Sequence, residues 1–323
     1  MEYPTPRIVV SKCLGFSACR YNAQVIRDQT VQMLSPFVEF VPVCPEVEIG
    51  LGVPREPIRV VEEEKGNPIL YQPATGLDVT ARMREFTEGF FRNLGPVDGF
   101  ILKSRSPSCG PWNVKSYASK ENPGAAGKGQ GYFGKAVLDS FPGVPVEDEG
   151  RLRNFTLREH FFTSLFTLAR FRSLRRKGEQ HGSLVRFHTV GKLLFMAYNQ
   201  AAMRRLGKIT ANHEGLPARE VWNRYEEELA GIFEAPPKFT NMINAFQHAF
   251  GGMSDKLEAS ERTFFLNTLE EYRDERIPAS TVLHLLEGWA IRFGNNYLLE
   301  QLLLAPYPRG LVDITDSGKG RSY

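Results

Sequence analysis

The first 150 residues alternate short apolar runs with stretches of helical spacing. Arg7-Ile8-Val9-Val10-Ser11 reads as a buried strand, Val25 to Leu34 as a helix, and Val38 to Val43 as a second strand running into Cys44. Asp78 or Thr80 can cap a helix whose apolar positions are Val79, Met83, Phe86, Phe90 and Leu94. Gly99 to Lys103 reads as a strand, Tyr132 to Phe141 as a helix, and Val144-Pro145-Val146 as a last short strand. Strands alternating with helices predict a Rossmann-like, mostly parallel sheet with helices on both faces. Two stretches read as loops. Gly50 to Gly76 is rich in Pro and Gly and holds the acidic run Glu62-Glu63-Glu64. Ser116 to Gly131 is Gly-rich, and is either a mobile cover over a site or plain surface.

After Gly150 the strand pattern stops. Thr156 to Lys177, Ser183 to Leu206, Pro217 to Phe233, Lys238 to Met253, Lys256 to Arg276 and Ala279 to Phe293 read as helices, and Tyr297 to Leu304 as a short one. The tail from Ala305 to Tyr323 is polar. An α/β domain over residues 1–150 followed by an all-α domain over 151–323 is the expected organisation, and 323 residues suffice for two cores. No internal repeat is evident.

Composition narrows the setting. No run approaches the roughly 18 apolar residues that span a membrane. Met1 to Val10 carries no apolar signal-peptide core. Four cysteines in a chain of this length make no disulfide framework, so a cytoplasmic, reducing compartment is expected. The net charge of +3 hides an asymmetry: residues 151–208 carry 13 Lys/Arg against Glu159 and Glu179 alone. The cations are Arg170, Arg172, Arg175, Arg176, Lys177, Arg186, Lys192, Arg204, Arg205 and Lys208, after Arg151, Arg153 and Arg158. Arg172, Arg175 and Arg176 share a helix face. The bland reading is a solvated face; so large an excess predicts contact with phosphate, hence nucleic acid. His181 and His188 flank the region and read as structural.

The chemistry sits in cysteines. Cys13, Cys44 and Cys109 lie in short Gly/Pro-marked segments, each following a predicted strand. In parallel sheets ligands bind beyond the carboxyl ends of the strands, so three thiolates can converge there. Cys19 shares the loop of Cys13 and is either a fourth ligand or a bystander. Structural zinc usually takes four ligands, often in close Cys-x-x-Cys pairs, and no such pair exists here. Soft thiolates from separate loops suit an iron–sulfur cluster. A Cys13–Cys19 redox pair is a further option, though its spacing matches no thioredoxin-like motif.

Ser11-x-Cys13-Leu14-Gly15, Arg20-Tyr21, Cys44-Pro45-Glu46, Gly50-Leu51, Pro54-Arg55, Gly76-x-Asp78-Val79-Thr80 and Leu102-Lys103-x-x-Ser106-Pro107-Ser108-Cys109-Gly110 follow one another in order. This set, over about residues 7–147, resembles the thiouracil desulfidase (TudS) family. Residues from about 156 to 300, with His188 to Lys192 and Met196-Ala197, resemble the YbgA-type helical domain. The fusion is similar to the tRNA 4-thiouridine desulfidases (RudS). One departure is visible: where the family often continues Arg-Tyr with Asp-Gly, this chain has Asn22-Ala23.

The resemblance implies a 4Fe–4S cluster ligated by Cys13, Cys44 and Cys109, with one iron free of protein ligands to act as a Lewis acid on a thiocarbonyl. The net change is C=S to C=O, with no redox cofactor, NAD or flavin. Glu46 is assigned general acid/base work and Ser106 a hydrogen bond or proton to the substrate. Their bland readings are a surface carboxylate and a turn residue bonding its own backbone. Arg55 and Lys103 are weaker candidates for binding anionic or carbonyl groups. The implied partner is tRNA containing 4-thiouridine. The alternatives are a desulfidase of free thiouracil or nucleotides, and a non-catalytic Fe–S or zinc RNA-binding regulator.

Overall fold

The computed structural model describes residues 2–62, 68–121 and 124–313. Glu63 and Glu64 of the acidic run, and the tail from 314 to 323, lie outside the described residues.

The chain divides into two units. One comprises Thr5–Phe161 with the described residues from Gly310 on, and the other Phe162–Arg309 with the residues before Thr5. The first runs β1 (Arg7–Ser11), α1 (Gln29–Leu34), β2 (Glu39–Val43), α2 (Pro45–Glu48), β3 (Arg59–Val61), β4 (Ile69–Gln72), β5 (Leu77–Asp78), α3 (Thr80–Leu94), β6 (Gly99–Leu102), β7 (Val114–Tyr117), β8 (Ala125–Gly129), α4 (Tyr132–Ser140) and β9 (Val146–Asp148).

Four of these strands form a parallel sheet in the order β2-β1-β6-β9. Ile8, Val9, Val10, Phe100, Ile101 and Leu102 are fully buried in it, as unbroken apolar runs in a covered parallel sheet should be. Val9, Val43 and Phe100 pack with Leu94 and Val97, at and just beyond the end of α3, and with Phe133 and Val137 of α4. From β1 the chain goes to β2 on one side and later to β6 on the other. The carboxyl ends of β1 and β6 are therefore the topological switch point, where open α/β sheets bind ligands.

The stretches expected as loops hold most of a second sheet, in the order β5-β4-β3-β7-β8, with β5 and the start of β7 just beyond them. Ile58, Val60, Leu70 and Val114 pack there with Val79 and Met83 at the start of α3. Its strands are two to five residues long, and Gly and Pro between them mask their pattern. The helix expected from Val25 begins only at Gln29, because Asp28 takes an extended conformation and its side chain accepts from the Val31 N–H.

The second unit is helical: most of α5 (Phe155–Arg176), then α6 (His181–Tyr198), α7 (Gln200–Ala211), α8 (Ala218–Ile232), α9 (Phe239–Gly251), α10 (Ala259–Arg273), α11 (Ala279–Arg292) and α12 (Asn296–Leu299). The division between the units falls within α5. The single helix expected over Ser183 to Leu206 is two. Asn199 turns extended, and its side chain caps α7 by accepting from the Ala202 N–H. Trp222, Tyr225, Phe187, Phe195 and Phe246 anchor the core. No described helix is long and apolar enough to cross a membrane.

Candidate active site

Each of three cysteines sits just past a strand of the parallel sheet. Cys13 follows β1, Cys44 follows β2 and N-caps α2, and Cys109 ends the turn after β6. All three are buried, and Cys19 with them. The Cys19 thiol interacts with those of Cys13 and Cys44, and the Cys44 Sγ lies 3.7 Å from the Cys19 carbonyl oxygen. Cys109 is close enough to Cys44 to feel its charge. Burial pushes the Cys109 thiol up to about 12, with Ser11 and Ser108 partly offsetting it. Cys44 is pushed up by its contact with Cys19 and by burial. Cys19 is raised chiefly by Cys13, with Cys44 acting the other way. A thiol raised in this way is protonated at neutral pH, and a metal would have to displace the proton.

The Cys109 turn is built tightly. Ser106 Oγ accepts from the backbone N–H groups of Cys109 at 3.1 Å and Ser108 at 3.3 Å. The start of α4 closes on the same turn: Gly131 N donates to Gly110 O at 2.7 Å and Gly134 N to Ser108 O at 3.0 Å. Ser11 Oγ accepts from Lys103 N at 2.8 Å, tying the ends of β1 and β6 together.

Glu46 lies between two partners. Ser108 Oγ donates to its Oε1 at 2.5 Å, and Arg55 Nε donates to its Oε2 at 2.7 Å. Ser108 Oγ is also 3.0 Å from Ser106 Oγ and 3.9 Å from Cys109 Sγ. Glu46, from the Cys44 segment, thus meets Ser106 and Cys109 of another segment through Ser108. Arg55 and Lys103 are occupied by protein groups. Arg55 pairs with Glu46, while Lys103 pairs with Glu149 and contacts Ser104 Oγ at 2.9 Å. Sequence reasoning passed over Ser108, whose one signal was its place beside Cys109, and left Cys19 open. Ala23 has φ 56°, in the left-handed region. Glycine, which the resemblance puts at this position, takes that conformation without strain.

The basic segment of the helical unit is partly neutralised, mostly from outside its own sequence. Arg175 pairs with Glu179 and with Glu226 of α8, Arg172 lies 4.0 Å from Glu226, and Arg205 pairs with Glu228 at 2.6 Å. Arg186 reaches Glu300 at 3.4 Å. Arg170 sits over the Tyr3 ring and donates to the Glu2 carbonyl. Arg176, Lys177, Lys192, Arg204 and Lys208 are exposed and form no ion pair among the described residues. His181 is exposed. His188 Nδ1 is 3.1 Å from the Tyr225 hydroxyl, and burial lowers it to about 4.

Among the described residues no three His, Cys, Asp or Glu side chains are grouped so as to hold a metal ion. What fits an iron–sulfur cluster is the chemistry of the donors: sulfur only, buried, from three separate loops at one sheet edge.

The fold and site define an α/β protein with a thiol-lined centre at its sheet edge, joined to a helical unit. A family model described as 2-thiouracil desulfurase matches residues 8–149, and one described as a protein of unknown function, DUF1722, matches residues 192–308. The uncharacterized protein YbbK of Bacillus subtilis (strain 168) is 33% identical over 112 residues, covering 32% of this chain and 72% of YbbK. The uncharacterized protein YbgA of Escherichia coli (strain K12) is 23% identical over 155 residues, covering 48% of this chain and 91% of YbgA. A solved structure of the 4Fe–4S-dependent thiouracil desulfidase TudS is 29% identical, covering 46% of this chain and 93% of that one, with a TM-score of 0.36. The chain belongs, through residues 8–149, to the 2-thiouracil desulfurase family.

Proposed function

We propose that this protein is a desulfidase that removes sulfur from 4-thiouridine in tRNA. It does so with a 4Fe–4S cluster held by Cys13, Cys44 and Cys109. The observation that carries the reading is the meeting of Glu46, Ser108, Ser106 and Cys109 at the sheet edge where the other thiols lie. Family membership supports a desulfidase, and the all-sulfur donor set supports the cluster.

When bound, the cluster supplies a thiophilic Lewis acid that polarises the thiocarbonyl. The rest falls to the chain. Glu46 takes a proton from water as oxygen adds to the ring carbon. Ser106 donates a hydrogen bond to the substrate or passes it a proton. Thiocarbonyl and water become carbonyl and hydrogen sulfide, with no change in electron count. The helical unit holds the RNA by its backbone through the exposed cations Arg176, Lys177, Lys192, Arg204 and Lys208. The base is turned out of its stack to reach the site.

A second reading is a desulfidase of free thiouracil or its nucleotides. The ion pairs of Arg175 and Arg205 with α8 favour it, because they reduce the charge offered to phosphate. Turnover of 4-thiouridine tRNA against the free base, at matched concentration, separates the two. Preference for the free base would overturn the tRNA assignment.

A further inference from the structure

Glu46 is gripped from both sides by residues outside its own segment. Its ion pair with Arg55 is nearly dry, the two side chains being 11% and 4% exposed. Arg55 is not free to follow the carboxylate. Its Nη1 donates to the carbonyls of Cys19 at 2.9 Å and Gly52 at 3.0 Å, and its backbone N–H donates to Tyr21 O at 2.8 Å. A guanidinium tied to two loops is an anchor, and its removal would leave a buried carboxylate uncompensated. Acid–base groups work only when held close to the productive geometry.

The hydroxyls on the other side have a determined polarity. Ser108 has one hydroxyl proton, and at 2.5 Å it belongs to the bond with Glu46 rather than to the 3.9 Å approach to Cys109 Sγ. The 3.0 Å contact between Ser106 and Ser108 therefore has Ser106 as donor. Ser106 can do this because its oxygen already accepts from two backbone N–H groups while its own proton is uncommitted. The chain runs one way, from Ser106 O–H to Ser108 O–H to the Glu46 carboxylate.

We propose that Ser108 and Arg55 are the positioning residues of this site. Ser108 relays protons between Glu46 and Ser106, and Arg55 fixes the carboxylate. Glu46, protonated by water, gives that proton to Ser108 as Ser108 gives its own to Ser106 and Ser106 gives its own to the substrate, so both hydroxyls end neutral and the carboxylate is restored. Arg55 is thereby assigned to the protein and not to the substrate. The inference rests on the reading of Glu46 and Ser106 as the acid–base pair.

The test uses full-length protein loaded anaerobically to equal iron and sulfide. Ser108→Ala should lower kcat for sulfide release by roughly 100-fold, with KM within about threefold, and Ser108→Thr should restore most of it. The solvent-isotope proton inventory should be curved in the parent and closer to linear in Ser108→Ala. Glu46→Gln/Ser108→Ala should lose no more than Glu46→Gln alone. Parent-like turnover in Ser108→Ala, or losses that multiply in the double variant, would overturn the relay. If Ser108→Ala takes up no iron, Arg55→Lys decides: a kcat loss of at least about tenfold at unchanged iron content supports the anchor, and parent-like kcat refutes the proposal. If the loaded parent releases no sulfide, the desulfidase reading itself fails and the relay falls with it.

Discussion

A methyl group at Gly134 would stand 2.6 Å from the carbonyl oxygen of Cys109. Helix α4 therefore rests directly on the turn that presents this thiol, and Gly134 N donates to the Ser108 carbonyl from the same position. The turn cannot retreat easily, because Ser106 fastens it from within. Gly134→Ala should destabilise the protein by about 1–3 kcal/mol through overpacking and lower its retained iron. Denaturant unfolding of the metal-free protein, beside iron analysis of the loaded one, checks this. Unchanged stability would mean the turn is soft.

Cys19 lies among the thiols but outside the assigned ligand set. Serine at Cys13, Cys44 or Cys109 should abolish or severely reduce cluster uptake, while Cys19→Ser should keep the parental iron and sulfide content. Iron loss in Cys19→Ser equal to that in Cys13→Ser would make Cys19 a ligand.

Ala23, in the left-handed region, should prefer to be glycine. Ala23→Gly should stabilise by up to about 1 kcal/mol, the relief of side-chain strain exceeding the extra freedom of glycine in the unfolded chain. A thermal or denaturant midpoint measures it; a lower midpoint would contradict it.

His160 is lowered to about 4, by burial first and by Arg151 second. Its folded-state value lies below the ordinary 6.5, so the unfolded chain binds the extra proton between the two. The stability it confers is complete above about pH 6.5 and is lost as pH falls toward 4, by up to about 3 kcal/mol. Unfolding free energies measured from pH 7 to 4 should fall less steeply in His160→Gln. Parallel slopes would contradict it.

RNA affinity should depend steeply on salt. Reversing Lys192, Arg204 and Lys208 to Glu should weaken tRNA binding at every sequence, with iron content unchanged. The salt slope should fall by about one unit for each phosphate no longer neutralised. The same exchange at Arg175 should act through folding as well, since it breaks the pairs with Glu179 and Glu226. Filter binding across a salt series separates these effects.

The parallel core was legible because β1 and β6 are unbroken apolar runs, a pattern that only burial explains. The second sheet was not. The three residues of β3 find their partners in β4 and β7, and the pairing with β7 spans more than 50 residues of sequence. The break at Asn199 was hidden because apolar spacing continues on both sides of it. The placement of the cysteines after strands was visible, since topology brings such positions to one sheet edge. The roles of Ser108 and Arg55 were not, because each depends on a carboxylate in another segment, and no local pattern marks a long-range hydrogen bond. The acids of α8 that neutralise Arg175 and Arg205 were invisible to a count over residues 151–208 for the same reason.

The most direct test is sulfide release from 4-thiouridine tRNA by protein reconstituted anaerobically and assayed for iron and acid-labile sulfide. About four irons per chain are expected, with stoichiometric conversion of 4-thiouridine to uridine and sulfide, and loss of both activity and cluster in Cys13→Ser, Cys44→Ser and Cys109→Ser. A fully loaded protein that releases no sulfide would contradict the desulfidase reading.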